Sequence, residues 1–182
     1  MVKKYTYTEL KKEFENHNYK WFNFHLVGIR SKENQKNKFD DLIGYVIGNN
    51  VHWFEGTTNA GTHWLLNLMN PKGTANLKPN QYIDTWKIGL HNNKYKALVQ
   101  VKNVEVFRDA NKNDLAEESK VIDKGLFGIN IHRANSSFVS KLIDRHSAGC
   151  QVLNNPADFN KLMFECNLSN LTYFTYTLLN EF

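Results

Sequence analysis

Val101-Lys102-Asn103-Val104-Glu105-Val106-Phe107 comes close to alternating apolar and polar residues. A period of two sends successive side chains to opposite faces, as in an antiparallel strand with one face buried and the other in water. Working outward, strand-like runs recur over Trp21 to Ile29, Leu42 to Ile47, Val51 to Glu55, His63 to Met69, Tyr82 to Leu90, Lys96 to Phe107 and Leu126 to His132. Turn-forming clusters such as Gly48-Asn49-Asn50 and His91-Asn92-Asn93 separate most of them. A last run, Leu171 to Leu179, carries the aromatics Tyr173, Phe174 and Tyr176. Helices at the two ends are expected to flank this β-rich middle. Thr6 and Glu9 have capping-box spacing, and Tyr7, Leu10 and Phe14 follow at helical intervals. Pro156-Ala157-Asp158 opens a second helix with Phe159, Leu162, Met163 and Cys166 on one face. The expected fold is a β-dominated α+β domain. One unit spans 1–182, with an N-terminal helical extension over 1–20 and a core from about 21 to 182.

A chain of 182 residues can bury a sizeable core without covalent staples. Its 41% hydrophobic content is that of a globular domain, which excludes a disordered chain. No apolar run approaches the ~18 to 20 residues that a membrane-spanning helix needs. Met1 to Thr6 carries lysines but no apolar stretch follows, so no secretory signal is expected and synthesis in the cytoplasm is. Two cysteines exclude a disulfide scaffold and a four-cysteine zinc site, and in a reducing compartment both are expected as free thiols. The net charge of +5 suits any polyanion, cell wall and nucleic acid alike. Lys32 to Lys38 has no interleaved aromatics and reads as a solvated loop, so nucleic acid is not expected as a partner. A monomer is expected.

The chemistry concentrates between Gly125 and Val152. Gly125-Leu126-Phe127-Gly128-Ile129-Asn130-Ile131-His132 is followed, after fourteen residues, by Ser147-Ala148-Gly149-Cys150-Gln151-Val152. A cysteine nucleophile needs a base for its thiol proton, and His132 closes an apolar run where a strand end would present it. Gly149 lets the backbone turn tightly and leaves the Cys150 amide free to face a developing oxyanion.

This arrangement resembles the L,D-transpeptidase (YkuD-like) family, in which a histidine precedes a Ser/Thr-x-Gly-Cys motif by a similar gap. Upstream, Ile129-Asn130-Ile131-His132 looks like the family's Gly-Ile-His strand. Thr57-Thr58-Asn59-Ala60-Gly61-Thr62-His63 looks like its Thr-Pro-x-Gly-x-aromatic segment, with Asn59 where proline is usual. The resemblance covers about 42 to 155 and implies a β-sandwich with short flanking helices. It implies a cysteine acyl-enzyme acting on peptidoglycan stem peptides, in which the thiol attacks a meso-diaminopimelate carbonyl and releases D-alanine. Cys150 is then the nucleophile and His132 the base, often oriented by a backbone carbonyl. The Gly149 and Cys150 amides lie near the oxyanion, and Ser147 shapes the loop. No cofactor or metal is implied. This chain departs from the family in having Val152 where an arginine usually helps hold substrate, Arg133 where glycine follows the histidine, and Ala148 where histidine is common. Arg133 and Arg145 are candidate replacements for the missing cation, and His63 and His91 are candidates to line the cleft.

Other readings stand beside this one. His132, His146 and Cys150 have the chemistry of zinc ligands, but no short ligand pair anchors them. Asp109 to Asp114 has alternating oxygen side chains but lacks the glycine and distal glutamate of a calcium loop, and reads as a solvated hairpin turn. Cys166, His25 and His52 read as structural, and Trp64, Trp86 and Tyr95 as core or rim. Ser136 to Arg145 reads as a short helix turning Phe138, Leu142 and Ile143 inward. Without a signal or anchor, hydrolysis by a lysin-like carboxypeptidase or endopeptidase, phage-encoded and delivered to the wall by release, is favoured over cross-linking. A cross-linking transpeptidase and a non-catalytic wall-binding or structural phage protein of the same fold are the alternatives.

Overall fold

The computed structural model describes residues 2–182. Helix α1 (Tyr7–Asn16) begins where the capping box predicts. Thr6 Oγ1 accepts the Glu9 amide at 3.3 Å and the Glu9 carboxylate accepts the Thr6 amide at 2.8 Å. Eight strands then close into a ring. In ring order they are β1 (Phe24–Arg30), β11 (Phe174–Asn180), β5 (Asn80–His91), β6 (Tyr95–Gln100), β9 (Ile131–Arg133), β10 (Gln151–Leu153), β3 (Asn50–Thr57) and β2 (Asp41–Ile47). A separate three-stranded sheet runs β4 (Thr74–Leu77), β7 (Val104–Asp109), β8 (Ile122–Gly125). The fold is thus β-dominated with few helices. Hydrogen bonding joins the strands into one closed barrel where two facing sheets were expected, and the ring closes at β6–β9 through the single pair Leu98↔Ile131.

Period-two alternation sorts the side chains. Leu26, Ile43 and Tyr45 point into the main core with Trp86, Leu98, Ile131 and Tyr176. Val27, Ile29, Leu42 and Val46 point the other way, where Leu10 and Phe14 of α1 cover them. Two-sided burial explains why β1 and β2 read as near-continuous apolar runs. Helix α3 (Pro156–Leu168), capped by Asn155, buries Phe159, Leu162, Met163 and Cys166 in the main core as its spacing predicts.

Four expectations need correction. His63 to Met69 is not a strand: Thr62–Leu66 forms helix α2 and only Leu65 is buried, because the run has no alternation to match a sheet face. Lys96 to Phe107 is two strands in different sheets, broken where the Val101 amide turns to the Thr85 carbonyl. Of Leu126 to His132 only the end is strand. Gln100 Oε1 accepts the Phe127 and Ile129 amides at 3.1 and 2.9 Å, so a side chain replaces the strand neighbour. Ser136 to Arg145 forms no helix. Asn135 Oδ1 accepts the Ser137 amide at 2.8 Å in a competing turn, leaving Phe138 and Leu142 exposed and only Ile143 buried. The Asp109 to Asp114 stretch lies in the long β7–β8 connection, where Asn111 and Asn113 donate to Glu117. Among the described residues no helix is long and apolar enough to cross a membrane.

A buried polar cluster fixes the loop after β3. Asp41 accepts the Ser31 amide at 2.8 Å, the Thr58 amide at 2.6 Å and the Thr58 hydroxyl at 2.8 Å. Arg30 donates to Thr58 Oγ1, the Thr58 carbonyl and the Leu77 carbonyl. Burial pushes the Asp41 carboxyl up in pKa, and these donors with the Arg30 charge pull it back. In Asp41→Asn an amide N–H₂ must face backbone N–H donors. The variant is expected to lose about 3 kcal/mol of stability in urea unfolding. A loss below 1 kcal/mol would show that the cluster does not hold the loop.

Candidate functional site

Parallel strands cannot be joined by a tight turn; they need a crossover of about a dozen residues. The fourteen residues between His132 and Ser147 are that crossover. β9 and β10 run parallel with Ile131 opposite Gln151, His132 opposite Val152 and Arg133 opposite Leu153. The Gln151 amide extends the ladder to the Asn130 carbonyl at 2.9 Å. Cys150 therefore enters its strand beside the strand that carries His132. The spacing read from the sequence is the spacing of a parallel pair.

The Ser147–Cys150 turn is tied internally. Ser147, fully buried, donates through Oγ to the Cys150 carbonyl at 2.8 Å and accepts the Gly149 amide at 3.1 Å. Its own carbonyl accepts the Gly61 amide at 2.9 Å, so the Thr57–His63 segment braces the turn from outside. Gly149 sits at φ +117°, and a Cβ there would lie 1.8 Å from the Ala75 carbonyl oxygen. The Gly149 amide is thus taken by Ser147, which corrects the expectation that it faces an oxyanion. The Cys150 amide has no acceptor among the described residues and remains the donor.

His132 is 4% exposed. Its Nδ1 lies 2.9 Å from the Arg133 carbonyl oxygen, which can only accept, so Nδ1 carries the proton and Nε2 the lone pair. The Tyr95 hydroxyl donates to the same carbonyl at 3.2 Å and lies 3.4 Å from Nδ1. His91 stacks on His132 with centroids 4.0 Å apart. Asn130 Oδ1 accepts the Gln100 amide, which leaves its Nδ2 to donate to His91 Nδ1 at 3.0 Å. Burial first, then the neighbouring His91, push the His132 pKa down to about 3. Burial pushes the Cys150 thiol up to about 11, with the Asn130 amide pulling it back. The thiol donates to the Gly128 carbonyl at 3.3 Å. The resting pair is neutral thiol and neutral imidazole.

Cys150 and His132 open into one cleft of about 550 Å³. Of the other sequence candidates His91 and Arg145 line it, together with His146, whereas His63 and Arg133 do not. His63 sits edge-on to Trp64 on α2, and Arg133 stacks over the Tyr95 ring at 4.4 Å. Three contributors escaped the sequence reading. Asn130 orients His91, Tyr95 supports the carbonyl that fixes His132, and Arg108 lines the cleft from β7. Asn130 lay inside the matched strand, but no local spacing marks Tyr95 or Arg108. Among the described residues no three His, Cys, Asp or Glu side chains group as metal ligands would, and no Asp or Glu lines the cleft.

Two pH measurements check these states. Iodoacetamide labelling of Cys150 is expected to speed up about tenfold per pH unit from neutrality toward pH 11, well ahead of the buried Cys166. A plateau below pH 7 would instead reveal a thiolate–imidazolium pair. Because the folded pKa of His132 lies below its ordinary 6.5, the unfolded chain binds more protons between these values. Stability is therefore expected to be full above pH 6.5 and to fall as pH drops toward 3. His25, buried and pushed down to about 4, contributes in the same direction. His132→Gln should flatten part of that slope.

No family model, no curated protein and no solved structure matches this chain.

Proposed function

We propose that this chain is a cysteine-nucleophile enzyme of L,D-transpeptidase type, its closed barrel a variant of that family's β-sandwich. It acts on peptidoglycan stem peptides through an acyl-enzyme. The observation that carries the reading is the His132 tautomer: Nδ1–H is held by a backbone carbonyl while the Nε2 lone pair is left for the cleft that also holds the Cys150 thiol.

The neutral pair defines the chemistry. As Sγ attacks the substrate carbonyl, His132 Nε2 takes the thiol proton, and charge develops on the carbonyl oxygen facing the Cys150 amide. Collapse of the tetrahedral adduct expels the amine leaving group, which receives that proton from Nε2. A thioester on Cys150 remains. Water then attacks the thioester, giving its proton to Nε2 and releasing the acid, and the thiolate recovers the proton. Water is the assigned acceptor because two arginines, Arg108 and Arg145, and no carboxylate are among the described residues that line the cleft. Such a surface repels an ammonium-bearing acceptor and leaves water unaffected. The activity is thus that of a carboxypeptidase or endopeptidase, lysin-like in effect.

One observation favours a second reading, a non-catalytic wall-binding protein: the thiol donates its hydrogen bond to the Gly128 carbonyl and ionises only at high pH. Mass spectrometry of muropeptides after incubation with isolated peptidoglycan separates the two. Cleaved stem peptides are expected from the native chain, with at least a ~10³-fold loss in Cys150→Ala and in His132→Gln. Joined stems would replace hydrolysis with transpeptidation. Unchanged muropeptides together with binding to the wall would establish the second reading.

A further inference from the structure

The cleft contains one cation that is built in rather than hung from the surface. Arg108 is 6% exposed, and its guanidinium lies 4.6 Å above the Phe127 ring. Phe127 adjoins Gly128, whose carbonyl accepts a hydrogen bond from the Cys150 thiol, and all three line the same cleft as Arg108. Resting on the acyl-transfer reading above, we propose that Arg108 is the carboxylate-binding specificity residue of this cleft, and that the substrate carries a free carboxylate near the carbonyl Cys150 attacks.

The guanidinium is held but not used up. Nε and Nη2 both reach the same Asp123 oxygen at 3.3 Å, and Nη1 donates to the Gly73 carbonyl at 3.2 Å. Of five N–H groups two donate hydrogen bonds, Nε to Asp123 and Nη1 to Gly73, leaving one on Nη1 and both on Nη2 for a carboxylate. Asp123 also faces Lys72 at 3.6 Å, so one carboxylate answers two cations and a positive charge is left over. No acidic side chain on the lining offsets it. Arg145 also lines the cleft, but its side chain is exposed and only its backbone carbonyl is engaged, by Trp64. Ordering it around a ligand costs conformational entropy that Arg108 has already lost.

The test uses the full chain with Cys150→Ala and a synthetic stem tetrapeptide whose carboxylates are amidated one at a time, with binding followed by calorimetry. One amidation is expected to weaken binding about 10- to 100-fold, the range of a charge-assisted hydrogen bond. Adding Arg108→Gln should make the protein indifferent to that amidation, while Arg145→Gln should leave the discrimination intact. Equal binding of every peptide, or discrimination that survives Arg108→Gln, overturns the proposal. Should Arg108→Gln not fold, Arg108→Lys decides: it keeps the charge and loses the fork, so reduced discrimination supports the proposal and undiminished discrimination overturns it. Turnover of the same peptides by the native chain separates the two readings. Discrimination without turnover refutes acyl transfer and leaves Arg108 its role, and turnover without discrimination does the reverse.

Discussion

The parallel pairing of β9 with β10 is the constraint on which the site depends. It sets His132 beside the strand that Cys150 enters, and it demands a crossover long enough to return the chain in the same direction. A crossover without regular structure has few hydrogen bonds of its own, so it must be braced from outside. Asp41, Arg30 and Thr58 fix the loop after β3, and Gly61 in that loop binds the Ser147 carbonyl. Ser147 in turn closes the turn on Cys150. A buried ionic cluster in one wall of the barrel thus sets the position of the thiol in another.

Electrostatics in the cleft follow from burial more than from pairing. Desolvation disfavours charge on both His132 and Cys150, and the stacked His91 adds to the cost of protonating His132. The site therefore keeps its proton on sulfur at neutral pH. Among the described residues that line the cleft, Arg108 is the charge held in place, by Asp123 and the Phe127 ring. In the proposed reading, this neutral pair beside a fixed cation recognises an anionic group while leaving the thiol uncharged.

Much of the β scaffold was legible in the sequence because alternation and capping are local. The Thr6–Glu9 box, the Pro156 helix and strands β1 to β3 fall close to where their patterns put them. Failures came where a pattern had no sheet to receive it. The apolar residues from His63 to Met69 and those preceding Ile131 satisfy their backbone through α2 and the Gln100 side chain, and neither partner is visible in the run itself. The expected helix over Ser136 to Arg145 lost to an Asn135 turn and to packing that buries Ile143 but leaves Phe138 and Leu142 exposed.

By itself the sequence determined the local elements and the two residues whose spacing matches a parallel return, His132 and Cys150. Only the tertiary structure decided that the sheet closes into a ring, that the Gly149 amide is consumed by Ser147, that Arg133 stacks on Tyr95 outside the cleft, and that Arg108 enters it. The division has a physical cause. Helix caps, turns and alternation depend on neighbours a few residues away, whereas hydrogen-bond partners and charge environments are set by strands that meet only after folding.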